Sequence, residues 1–130
     1  MNEYFQKIRE YLLELEMTII TEDKENQIFV IQKEEDGVMN MIVAIAEPIV
    51  ILEQPLFEIK EDSIDLYKTL LKKNRDIIHG AMALDDTETK VLYRDTLEVK
   101  NLDLNELEAS IEALSLLLSE FGTEILKYAK

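Results

Sequence analysis

The sequence predicts an α+β fold, a mainly antiparallel sheet with helices packed on it, in the order α-β-β-β-β-α-β-β-α. Three observations carry this reading. Apolar residues recur at spacings of three and four near both ends of the chain and once in its middle, the period of a helix with one buried side. Between these stretches lie runs rich in Ile and Val, long enough for strands and too short for helices. Short polar turns join those runs, and such links make neighbouring strands antiparallel.

The elements follow in order. Phe5, Ile8, Leu12 and Leu15, widened by Tyr4 and Tyr11, form the stripe of a first helix. Leu13 falls off that stripe, so it is either exposed or in contact with a partner. Thr18 to Thr21 is a short strand, and Glu22 to Asn26 a polar turn. Gln27 to Lys33 is the second strand. The Asp36-Gly37 pair after it supplies the positive φ of a tight hairpin. Val38 to Ala46 is the third strand, with Met39 and Met41 placed by alternation on one face. Glu47-Pro48 interrupts, and Ile49 to Phe57 is the fourth. Pro55 inside that run calls for an edge position or a bulge.

Asp62 or Ser63 caps a second helix with Ile64, Tyr67, Leu70 and Leu71 as its apolar face. Lys72, Lys73 and Arg75 at its end suit the helix dipole. Ile77 to Leu84 is a strand, and Lys90 to Val99 returns as its hairpin partner across an acidic turn. Asp103 caps the last helix, with Glu106 placed to complete a capping box. Leu104, Leu107, Ile111, Leu114, Leu118, Phe121, Ile125 and Tyr128 then step by three and four onto the sheet.

Composition narrows the function. The 130 residues suit one domain spanning residues 1–130. The net charge of −14 disfavours nucleic acid and anionic membrane surfaces, and favours basic partners. There is no Cys, which removes thiolate chemistry and disulfides. The start, Met1 to Tyr4, has no basic segment followed by an apolar run, so no signal peptide is expected and the expected location is cytoplasmic.

Catalytic constellations do not emerge. Gly37, Gly80 and Gly122 are too scattered for a phosphate loop. His79 has no Ser motif to serve and reads as an ordinary strand-start residue. The Asp85, Asp86, Glu88 turn lacks the central Gly and distal Glu of a calcium loop. No catalytic residue, metal ligand or cofactor is therefore assigned.

Tyr67 to Asn74, Ile78 to Asp85, Val91 to Leu97 and Asn101 to Leu107 form a further pattern. It comprises a Leu-rich helix ending in Asn, a small-residue strand, an acidic turn, a strand holding Arg94, and a capped final helix. This pattern resembles the YbjN-like proteins and the bacterial type III secretion chaperones of the Tir-chaperone kind. The resemblance implies a small, acidic, often dimeric protein that holds a partner segment through apolar patches and strand edges. It brings no catalytic residue with it.

The expected function is a non-catalytic protein-binding module, with Leu13, Leu116 and the edge around Pro55 as its candidate contacts. The alternatives are a homodimeric regulatory or structural domain without a client, and an enzyme built on carboxylates or a divalent metal.

Overall fold

The computed structural model describes residues 3–130. Met1 and Asn2, part of the stretch read above for a leader, lie outside the described residues. The chain runs α1 (Glu3–Glu14), β1 (Thr18–Asp23), β2 (Ile28–Lys33), β3 (Val38–Ala46), β4 (Ile49–Glu58), α2 (Ile64–Asn74), β5 (Ala81–Leu84), β6 (Lys90–Glu98) and α3 (Leu104–Ile125). This is the order expected from the sequence.

The strands form one antiparallel sheet, ordered β1-β2-β3-β4-β6-β5. Alternation along each strand sends Phe29, Ile31, Val43, Val50, Leu52, Val91 and Tyr93 to one face, where all are buried. The helices cover that face. In α1, Phe5, Ile8 and Leu12 point inward, and Phe5 stacks on Phe29 at 4.3 Å between centroids. In α3, Leu107, Ile111, Leu114 and Leu117 do the same. Burying each such side chain stabilises the fold by roughly 1.5–3 kcal/mol. The opposite face carries Ile28, Val30, Ala44 and Ile51, all half-buried, and the exposed Ile42.

Both interior caps are formed. Ser63 Oγ accepts from Leu66 N at 3.2 Å. Asp103 accepts from Glu106 N at 2.8 Å while Glu106 returns the favour to Asp103 N at 3.3 Å, the expected capping box.

The hairpin expected at Asp36-Gly37 is formed: a turn of 3-10 helix, Glu34–Asp36, closed by Gly37 at φ 76, joins β2 to β3. Three other local expectations need correction.

Met39 and Met41 do not share a face. Asn40 adopts φ 54, which breaks the alternation, so Met39 is exposed and Met41 is buried.

Pro55 is not on a sheet edge, because β4 lies between β3 and β6. It sits instead at a bulge in the β4–β6 pairing, between Pro55 and Phe57. Its other flank is open for a separate reason. The β3–β4 register ends at Ile42↔Glu53, and β3 diverges beyond it.

The last correction is the strand expected from Ile77, which begins only at Ala81. Residues 77–80 bend first, ending in Gly80 at φ 75.

The divergence of β3 is bridged by one buried side chain. Gln54 accepts from Met39 N at 3.0 Å and donates to Gly37 O at 3.0 Å, imitating the missing peptide partner. Replacing it by Leu keeps the volume and orphans both backbone groups. Gln54→Leu should cost about 1–3 kcal/mol, read as a lower urea midpoint with an unchanged m-value.

Candidate functional site

The site grows from one buried phenol. Tyr93, in the interior strand β6, is fully buried, so its hydroxyl needs a protein partner. It donates to Ser110 O in α3 at 2.6 Å, with His79 O further off at 3.4 Å. Burial pushes the phenol well above its ordinary range, and the nearby Asp95 carboxylate adds to the shift. The Ser110 side-chain hydroxyl works the other way and does not reverse it. Tyr93 is therefore a neutral donor at any physiological pH. Ser110 Oγ in turn donates to Asp95 Oδ2 at 2.6 Å. These bonds seat α3 on β6 and hold the bend before β5.

Gly80 makes that bend possible. A Cβ there would lie 2.8 Å from Arg94 O and 2.8 Å from the Tyr93 ring, and the backbone φ is +75. Only glycine satisfies both demands.

Next to this junction lies an open groove of about 210 Å³. Ile77, Ile78 and His79 form one wall, and Ala113, Leu116, Leu117 and Phe121 of α3 form the other. Asp76, Glu112 and Glu120 rim it, all exposed. Lys73 ties α2 to the α3 wall, since Nζ pairs with Glu124 at 2.7 Å and sits 4.9 Å from the Phe121 ring centroid. The groove offers apolar contact with anionic flanks, which is recognition and not bond chemistry. His79 belongs to the bend and is exposed, not a strand-start residue.

Leu116 lines this groove and is 57% exposed. Leu13, 48% exposed, is on α1, which packs over β1 and β2 at the far end of the sheet. Pro55 is exposed at the β4 bulge. The three candidate contacts thus lie on separate surfaces.

Sequence reasoning missed the strongest exposed apolar residues. Ile64 and Leu71 were expected to pack inward, yet they are 73% and 70% exposed, while Leu66 and Leu70 are buried. Ile78, expected inside a strand, is 85% exposed. The available signal was Leu66 with Leu70, an i, i+4 pair that defines the inner side of α2 and leaves Ile64 and Leu71 as a second stripe. Lys68 and Arg75 fall on that outer stripe and are also exposed.

The comparisons agree with this architecture. The CesT_Tir_1 family model matches residues 1–130. No curated protein sequence matches significantly. E. coli YbjN superposes with a TM-score of 0.67 at 15% identity, covering 92% of this chain and 91% of that one. The HopA1-SchA chaperone-effector complex gives 0.65 at 12% identity, covering 88% and 91%. The Yersinia pestis type III secretion chaperone SycH, solved with a fragment of YscM2, gives 0.62 at 19%, covering 92% and 98%. At these identities the likeness is one of fold. Among the described residues no helix is long and apolar enough to cross a membrane.

Two glycines should respond in opposite directions. Gly80→Ala should destabilise by 1 kcal/mol or more, at about the level of positive-φ strain plus a backbone clash. Gly122, in α3 with open space where its Cβ would go, should gain up to about 1 kcal/mol as Ala. Thermal melts of both variants read the two signs.

Proposed function

Because this chain belongs to the CesT_Tir_1 family, the type III secretion chaperone family, we propose that it is a non-catalytic module that holds a segment of a partner protein against its surface. The observation that carries this reading is the groove between α3 and residues 76–79. Its floor is apolar, its rim is anionic, and both its walls are anchored on Tyr93, through His79 O and Ser110 O. Such a surface suits an extended segment that alternates apolar side chains with Lys or Arg. The net charge of −14 would draw a basic segment toward it before contact. The solved structures of similar fold support the reading by analogy, since one is a chaperone-effector complex and another a secretion chaperone with a bound fragment. Carboxylate or metal chemistry has no comparable support.

Leu116→Glu places a charge on the groove wall without touching the buried core. We expect it to abolish retention of a partner that the wild-type chain retains from host extract, with the melting temperature unchanged. Raising salt should weaken wild-type retention progressively. A partner held equally by both proteins would refute this placement of the site.

Self-association is a second reading, and the outer stripe of α2 favours it. Ile64 and Leu71 are apolar and exposed, and Lys68, Lys72 and Arg75 beside them are exposed cations on an acidic protein. A second copy, itself strongly anionic, offers both the apolar and the acidic complement. Sedimentation should find a species of twice the 15.1 kDa chain mass, and Leu71→Asp should return it to the monomer.

A further inference from the structure

Two exposed surfaces of this chain complement each other. On α2 the outer stripe runs Ile64, Lys68, Leu71 and then the cap residue Arg75, at spacings of four, three and four, so all lie along one side of the helix. All four are exposed, and so is Lys72 beside them. The groove has the same apolar content and the opposite charge. Leu116 and Phe121 line it, and Asp76, Glu112 and Glu120 rim it. Among the described residues, none of these cations or carboxylates is in an ion pair within the chain. The lengths also agree. At roughly 1.5 Å per residue the stripe is about 16 Å long, and the α3 wall from Glu112 to Phe121 about 14 Å.

We propose that the groove of one copy receives α2 of a second copy, with Leu71 against Leu116 and Phe121, and Lys68, Lys72 and Arg75 against the carboxylate rim. A helix laid in a groove with its apolar side inward is a common mode of association. Packing stripe on stripe would instead set like cations against each other and leave both sets of charges uncompensated. Two-fold symmetry repeats the contact, so each copy gives one helix and receives one, and the pair closes without growing. The inference rests on the self-association reading given above and adds a regulation of the groove. A dimer formed in this way shuts both grooves, so self-pairing and partner holding exclude each other. The dimer is then the stored form, from which a partner draws monomers by mass action.

The test is sedimentation equilibrium on the full chain. Leu71→Asp spoils the stripe and leaves the groove, whereas Leu116→Lys spoils the groove and leaves the stripe. Each alone should weaken the dimer at least about tenfold. An equimolar mixture of the two should recover it, because one contact is then native and the other sets opposite charges together. A mixture that stays monomeric overturns the proposal. A dimer lost from Leu71→Asp but kept by Leu116→Lys overturns it too, and leaves self-association through α2 standing. A wild-type chain that is monomeric throughout removes both, and leaves the groove as a site for a partner segment.

A second measurement uses gentler substitutions at the same exposed positions. The chain has no Cys, so one introduced thiol reports on one place. Mild oxidation of an equimolar mixture of Leu71→Cys and Leu116→Cys chains, one of them isotopically labelled, should give the mixed disulfide in preference to either homodisulfide. Predominance of the Leu71→Cys homodisulfide would mean stripe-on-stripe pairing and would also overturn the proposal.

Discussion

The phenol of Tyr93 is buried, so its proton must go to an acceptor in the interior, and that acceptor is in α3. Much of the geometry at the β5 end follows from this requirement. The hydroxyl fixes how far α3 stands from β6, because Ser110 O must come within 2.6 Å. The ring fixes how closely the preceding loop can approach, because Gly80 packs where any Cβ would collide with it. The loop then turns Ile77 toward the core and leaves Ile78 exposed, and the groove is the space left between that loop and α3. One buried polar atom thus shapes the exposed surface beside it, which it meets through the His79 carbonyl at 3.4 Å.

The fold spends its apolar residues unevenly. One face of the sheet is sealed by three helices, while the other keeps Ile28, Val30, Ile42, Ala44 and Ile51 only partly covered by one another. α2 is likewise two-sided, with Leu66 and Leu70 turned inward and Ile64 and Leu71 turned out. Surplus apolar surface on a chain this acidic is held in solution by charge. That combination suits a protein whose purpose is contact.

The element order, the sheet class, both helix caps and the α1 stripe were legible in the sequence, because each rests on local rules of period and capping that tertiary contacts did not overrule. The failures share a cause. Periodicity counts apolar residues without asking which neighbour they meet. It assigned Ile64 and Leu71 to the core of α2, whereas the inner side is set by where Asn74 must reach β5. Alternation placed Met39 with Met41, and a single left-handed residue, Asn40, cancelled it. Proline rules offered an edge or a bulge for Pro55, and only the order of strands could choose the bulge. Of the groove, Leu116 was visible as a residue off the stripe. Its opposite wall was hidden because Ile77-Ile78 looks like a strand until Gly80 is seen against Tyr93. The bridge between Ile59 and Ala129 was beyond reach, since a pairing between residues seventy apart leaves no local mark.

Asn74 closes α2 and turns its amide to the outer side of β5, accepting from Met82 N at 2.8 Å and donating to Met82 O at 3.0 Å. A side chain there occupies the bonds that a seventh strand would need. At the opposite end, among the described residues, no strand pairs the outer side of β1. A sheet with one blocked end and one open end can join its own kind only once, open end to open end, and the product has no free end left. Growth by strand addition is therefore self-terminating in this molecule. A protein that displays apolar surface for a living gains from this arithmetic, because it can be kept at high concentration without polymerising into fibres.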